Sequence, residues 1–472
     1  MSSERPLWML GARELAEGFR ARLFSPVEAL DAVLDRAREI NVIVNAIVTF
    51  DREGAHEAAR ASEQRWRKEE ALGPFDGVPL TVKDNIHVKG LRATWGSRIF
   101  ADHIAAEDEL PVERLRAQGA VFIGKTNCPE FTLQGYTGNP LFGVTRNPWD
   151  PRLTPGGSSG GAVAAVASGV GPVALATDGG GSIRRPASHA GLVGLKPSAG
   201  RIARSGGFPA ILHDMEAIGP IARTTADASL VFSILAKPDP RDRASLAFAT
   251  APAGTDTVPP PQRILYVPRF GNSPVDAQIA ANVSEAASNL ARLGHIVVEG
   301  TAPFDPLLID RIWSVIGPVG LAWLLSRYPA ARERASTPLL RIADQGAAAT
   351  GVEYADALDE IARLRARMAD FFSRFDMILT PSAAALPWPA EVTHPESIDG
   401  QPVGPRGHAV FTAVANAAGI PAISVPCRPS SDGLPIGFQL LTRSGADERL
   451  LQLCNQYEQA HPWADCWPPL GA

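Results

Sequence analysis

Residues 153–177 contain no charged side chain and are rich in glycine, alanine and valine. Pro155, Pro172 and the many small residues make the run a poor membrane span. It reads instead as a loop, a small-residue core helix at 160–168 and an apolar strand at 170–176, which requires a large surrounding core. With 472 residues and 45% hydrophobic content, the chain can supply one.

Around that run, helix and strand signals alternate. Ser25-Pro26-Val27-Glu28 is a capping box with Pro at the first helical position, opening a helix to about residue 40, and a second helix spans 51–70. Further helices are expected at 109–118, 277–293, 354–372 and 446–458, and strands at 78–82, 120–124, 296–298, 377–380, 422–425 and 435–440. The strand at 78–82 delivers Lys83 at its end. Such alternation predicts an α/β layer architecture. No internal repeat or low-complexity linker divides the chain, so 1–472 is expected to be one domain with its core at about 11–460. The stretch 251–262, rich in Pro, Ala, Gly and Thr, reads as a long surface loop.

The net charge is −5, and no Lys/Arg cluster is interleaved with aromatics, which argues against a nucleic-acid groove. Only six of the 45 cationic residues are lysine, and Lys83, Lys125 and Lys196 all sit in motif segments. Cys128, Cys427, Cys454 and Cys466 have neither metal spacing nor a disulfide framework, so a reduced, cytoplasmic protein is expected. The N-terminus Met1-Ser2-Ser3-Glu4-Arg5-Pro6 shows no secretion signal. His56-Glu57 begins a zinc-protease-like string, but residue 60 is Arg, and no phosphate-binding G-x-x-x-x-G-K-[ST] loop is present. Neither metal nor cofactor is expected.

The chemistry lies in three segments: Lys83 in Thr81-Val82-Lys83-Asp84-Asn85, the run Gly156-Gly157-Ser158-Ser159-Gly160-Gly161, and the run Thr177-Asp178-Gly179-Gly180-Gly181-Ser182-Ile183-Arg184. A serine at its free pKa is a poor nucleophile, so it needs a base within hydrogen-bond reach and donors aimed at the developing oxyanion. A buried, neutral lysine can be that base without a histidine. Its pKa must then fall from about 10.4 to near 7, and burial shifts it in that direction.

At these residues the chain resembles the amidase signature family, whose Ser-Ser-Lys triad uses a serine on a cis peptide as relay. Lys83 and Ser158 are 75 residues apart and Ser158 and Ser182 are 24 apart, spacings similar to the family's. The resemblance extends through Glu130-Phe131, Asn147-Pro148-Trp149-Asp150, Gly194-Leu195-Lys196-Pro197-Ser198, Asn416-Ala417-Ala418-Gly419-Ile420-Pro421-Ala422 and Gly433-Leu434-Pro435-Ile436-Gly437-Phe438-Gln439. It implies a large, mixed, twisted central sheet sandwiched between helices. It also implies an amidohydrolase in which Ser182 attacks, Ser158 relays the proton, Lys83 accepts it, and the N–H groups of Gly179, Gly180, Gly181 and Ser182 hold the oxyanion. Asp178 and Arg184 would brace the loop as a buried ion pair, with Ser159 supporting the relay. Lys196 reads as structural.

The run Gly156-Gly157-Ser158-Ser159-Gly160 also fits the G-x-S-x-G elbow of α/β-hydrolases, but that elbow must follow a buried strand. Here it follows Asp150-Pro151-Arg152-Leu153-Thr154-Pro155, a loop sequence. Within the family the rival is the glutamine-dependent tRNA amidotransferase A-type subunit, and the remote rival a catalytically silent binding protein on the same fold. The amidotransferase branch carries a tyrosine-rich Arg-Tyr-Asp segment where this chain has Gly206-Gly207-Phe208-Pro209-Ala210-Ile211-Leu212-His213-Asp214-Met215, which favours a stand-alone amidase. Candidate pocket walls are Phe131, Tyr136, Phe208, Ile211, Leu212, Trp313 and Trp323, with extra space expected beside Gly179. Arg185 either turns its planar fork into the pocket or serves in a surface or structural ion pair, the latter being favoured. The expected partners are a small-molecule amide and at most a second copy of the chain.

Overall fold

The computed structural model describes residues 5–251 and 257–470. Part of the loop read at 251–262 and most of the N-terminal stretch read for a secretion signal therefore lie outside the described residues.

Eleven strands form one mixed sheet: β1 (Ile47–Phe50), β2 (Pro79–Lys83), β3 (Val121–Thr126), β4 (Val173–Asp178), β5 (Val193–Lys196), β6 (Ala217–Ala222), β7 (Arg263–Tyr266), β8 (Ile296–Glu299), β9 (Met377–Pro381), β10 (Ala422–Pro426) and β11 (Gly437–Thr442). Their spatial order is β1-β3-β2-β4-β6-β5-β10-β11-β9-β7-β8. β2 runs parallel to both neighbours, β3 and β4. The ladders β4–β6, β6–β5, β5–β10 and β10–β11 are antiparallel. Helices cover the sheet, and a parallel strand buried on both faces reads as continuous apolar sequence, as β2 and β4 do.

Local chemistry explains the element ends. Ser25 Oγ accepts from Glu28 N at 3.2 Å while Glu28 Oε2 accepts from Ser25 N at 2.7 Å, so both halves of the capping box form ahead of helix Pro26–Val44. Asp51 Oδ1 accepts from Gly54 N at 3.1 Å and opens helix Arg52–Lys68. The uncharged run divides as expected into a loop, helix Gly160–Ala167 and then β4. No strand precedes Ser158, so the hydrolase elbow is absent.

The sequence reading did not include β1, β5, β6 or β7. In β6, Gly219 and Pro220 argue against a central strand. Packing overrides them: a Cβ on Gly219 would stand 2.0 Å from Leu195 O, so only glycine lets β5 approach, and Pro220 lies past the two-residue ladder between β5 and β6. Among the described residues one helix, Pro306–Ser326, is long and apolar enough to cross a membrane. In the structure its inner face, including Leu308, Ile312, Ile316, Leu321 and Leu324, is buried in the main core.

Candidate active site

Because β2 and β4 are parallel neighbours, their C-terminal ends emerge on the same edge of the sheet, where open α/β sheets place their ligands. Lys83 ends β2, the Ser182 loop follows β4, and the Ser158 loop leads into helix Gly160–Ala167, which packs on both strands. Lys83 is fully buried, and its Nζ donates to Ser158 Oγ at 2.8 Å, Thr177 Oγ1 at 3.0 Å and Thr177 O at 3.3 Å. Burial pushes its pKa down to about 8, partly offset by the negative charges of Glu216 and Asp178. Cys128 adds no charge there, since burial pushes its thiol far up and keeps it neutral. Burial thus moves Lys83 in the direction that a base near neutral pH needs.

The peptide between Gly157 and Ser158 is cis. Ser159 ties the two loops together: its N–H donates to Ser182 O at 3.1 Å and its Oγ to Thr177 O at 3.2 Å. Among the described residues no hydrogen bond joins the Ser158 and Ser182 hydroxyls. Ser158 is wholly enclosed, whereas Ser182 keeps 7% exposure.

Asp178 and Arg184 form a fully buried ion pair with contacts of 2.9 and 3.0 Å. Burial alone would raise Asp178, but Arg184 and Asn416 outweigh it and hold the carboxylate well below its usual range. Arg184 also donates to Thr412 O, Gln439 Oε1 and Asn416 Oδ1. Asp178 accepts from the N–H of Gly181 at 2.6 Å and of Ile183 at 3.1 Å. This corrects the expected donor set: the Gly181 N–H is spent on Asp178, while those of Gly179, Gly180 and Ser182 have no acceptor among the described residues. Gly181 has φ +111°, and a Cβ there would stand 2.1 Å from Thr412 Oγ1, so no other residue fits. The extra space expected beside Gly179 is filled by Leu212, whose Cδ1 lies 2.4 Å from the missing Cβ position.

Arg185 is buried and donates to Gly180 O, to Thr412 Oγ1 at 2.9 Å and to Gly157 O at 3.3 Å, so one guanidinium spans both serine loops. The ion pair expected for it is not formed; its partners are carbonyls and a hydroxyl. Trp313 reaches the site, with Nε1 3.4 Å from a Gly180 Cβ position, but Trp323 is 44% exposed and faces away from the core. Phe131 lies in an aromatic cluster with Trp95 and Phe100, and Phe208 stacks on Trp95 at 4.7 Å. Tyr136 is half-buried with its backbone against Gly157, and Ile211 is packed on Gly320. A cavity of about 880 Å³ lies next to this region, lined by Phe208, Glu216, Arg204 and Arg365 among others, without Ser182. Sequence reasoning gave no role to Thr177, Thr412, Asn416 or Gln439. Three of them stand in the motif runs; Thr412 lies just upstream of one and carried no signal.

The sequence model of the amidase family matches residues 28–451. The chain belongs to the amidase signature family. This amidase is 34% identical to an acylamidase of Rhodococcus erythropolis, over 99% of this chain and 98% of that protein. It is likewise 34% identical to the A-type subunit of a glutamyl-tRNA(Gln) amidotransferase of Moorella thermoacetica, over 98% of this chain and 99% of that one. The fold matches a bacterial aryl acylamidase of the family with TM-score 0.90 at 28% identity, covering 98% of each chain. It also matches a 6-aminohexanoate cyclic dimer hydrolase with TM-score 0.86 at 29% identity, covering 99% and 100%. The reaction class of this amidase is hydrolysis of an amide C–N bond.

Proposed function

We propose that the protein is a free-standing amidase that cleaves small carboxylic amides through an acyl-enzyme on Ser182. Ser182 Oγ attacks the carbonyl carbon and its proton passes through Ser158 to Lys83. The carbonyl oxygen, now carrying the charge, is held by the N–H groups of Gly179, Gly180 and Ser182. When the C–N bond breaks, the proton returns along the same relay to the leaving nitrogen, releasing ammonia or an amine. Water then adds to the acyl-Ser182 ester and releases the acid. The observation that carries this reading is the 2.8 Å bond from a wholly buried Lys83 to Ser158, on a loop that Ser159 ties to Ser182.

The second reading is the tRNA amidotransferase branch, favoured by the relatives of that name at 30–36% identity. Against it stands the segment 206–215, which lacks the tyrosine-rich pattern. The two readings separate in one assay on purified protein without ATP, tRNA or a partner. The free-standing amidase releases ammonia from simple amides, and a serine-directed fluorophosphonate labels Ser182. Release only with a tRNA-binding partner would assign the other branch, and an adduct on Ser158 with Ser182→Ala still active would falsify the assignment of nucleophile and relay. The four cysteines are free, which accords with the cytoplasm we propose as its compartment.

A further inference from the structure

Segment 406–412 lies across the nucleophile loop. Thr412 Oγ1 donates to Gly180 O at 2.8 Å, and His408 lies against Gly135, where a Cβ would stand 2.1 Å from its Nε2. Arg406 opens this segment; the residue is exposed to solvent, yet the protein around its guanidinium is dense enough for desolvation to lower its pKa. Its guanidinium carbon is 5.6 Å from the ring centre of Trp313, and Trp313 in turn touches the Gly180 position. About one indole width therefore separates Arg406 from the loop that carries Ser182. Arg406 is also near enough to Arg185 and His408 to disfavour a further positive charge on either.

Among the described residues no carboxylate pairs with Arg406, and its side chain makes no hydrogen bond; the acid whose charge acts on it is Asp310. The groups behind it do not supply an anion. Arg184 is matched by Asp178, whereas Arg185 meets only carbonyls and a hydroxyl and keeps a buried, unpartnered Nε. His408 is buried with neither ring nitrogen bonded to protein. Other arginines nearby are neutralised: Arg204 lies between Glu109 and Glu216, and Arg365 pairs with Asp214. The unpaired positive charge thus lies beside the loop that carries Ser182, in a chain of net charge −5. A cleft with one sign of charge and low-dielectric walls concentrates ligands of the opposite sign.

We propose that Arg406 binds a carboxylate on the substrate, so that the amide cleaved is an acidic one, with Trp313 covering the methylenes between carboxylate and scissile bond. This rests on the reading of Ser182 as nucleophile. The planar fork of arginine matches a carboxylate with two parallel N–H···O bonds, and the indole face adds apolar cover. The carboxylate can belong to the acyl part or to the amine, and the two are separable by experiment.

Adipamic acid against hexanamide reports the acyl side, and N-acetyl-5-aminopentanoate against N-pentylacetamide reports the amine side, both with the full-length protein. One acidic member should exceed its neutral counterpart in kcat/KM by about ten-fold or more at low salt, and the advantage should shrink at about 0.5 M NaCl. Arg406→Gln should cut that acidic-to-neutral ratio by about ten-fold, chiefly through KM. For an acyl-side carboxylate, Arg406→Glu should favour 6-aminohexanamide over adipamic acid; for an amine-side one, N-acetylcadaverine over N-acetyl-5-aminopentanoate. Neutral amides preferred in both pairs, with Ser182 still labelled by fluorophosphonate, would overturn the inference alone, as would an acidic preference that survives both substitutions. No cleavage and no label on Ser182 would overturn it together with the reading beneath it.

Discussion

β2 ends in Lys83 and β5 ends in Lys196; neither side chain is more than 1% exposed, and burial lowers the first to about 8 and the second to about 7. By pKa alone Lys196 would serve at least as well as Lys83 as a base. The Nζ of Lys196, however, donates to Pro197 O at 2.6 Å, and among the described residues no hydroxyl accepts from it. Lys83 donates to two hydroxyls, one of them on the loop beside Ser182. A hydroxyl can accept one proton while giving another; a carbonyl cannot. Lys125 repeats the lesson, since it is fully buried and meets only Asp84 O and Arg92 O. A depressed lysine pKa therefore marks burial, and the partner decides whether the lysine can do chemistry.

The comparison is most exposed at Lys83. Lys83→Ala should lower kcat/KM on an unactivated amide by about 10³-fold, with a smaller loss on an activated ester whose leaving group needs little protonation. Equal, small losses on both would place the base elsewhere. Since Lys83 must be neutral to accept a proton, amide hydrolysis in the wild type should rise with pH and level off above about 8. Lys196→Met should leave that limb in place; its disappearance would assign the titration to the wrong strand end.

Lys196 should instead report in stability. Its folded pKa of about 7 lies below the ordinary 10.5, so between these values the unfolded chain binds more protons and stability rises with pH. The contribution of Lys196 is on the order of a few kcal/mol, so the rise in urea midpoint between about pH 7 and about pH 9.5 should be smaller in Lys196→Met, in which Lys83 and Lys125 still contribute theirs. A wild-type curve parallel to that of the variant would contradict the buried lysine.

Smaller effects sharpen the cradle. Thr177→Val removes the 3.0 Å hydroxyl acceptor of Lys83 and should cost about ten-fold in kcat with KM little changed, read by steady-state kinetics. A rise in KM instead would move Thr177 to substrate binding. Trp323→Ala should alter kcat/KM by less than about two-fold, because the ring faces away from the site.

Much of the candidate site was legible because its residues lie in dense local motifs: Lys83, Ser158, Asp178 and Arg184 meet as the three segments suggested. Less local features were not. Trp313 and Trp323 stand ten residues apart on one helix, roughly a quarter-turn out of phase, and periodicity in so apolar a helix does not say which faces the loop. The donor role read for Gly181 failed for a similar reason, since nothing in a run of three glycines tells which N–H turns toward Asp178. β6 was hidden by Gly219 and Pro220: both are unfavourable in isolation, yet the close approach of β5 requires the first and its short ladder does not involve the second.

The sequence by itself determined what is short-range: caps such as Ser25 with Glu28, the apolar runs that become β2 and β4, and the residue types that can attack, relay and accept a proton. Tertiary structure decided which acceptor each buried donor meets. β5 lies beside β10, more than two hundred residues later in the chain, and Thr412 arrives over Gly180 from a segment equally distant. Such meetings depend on the order and register of strands in a sheet, which arise from packing a whole core at once and leave no periodic trace in any one segment.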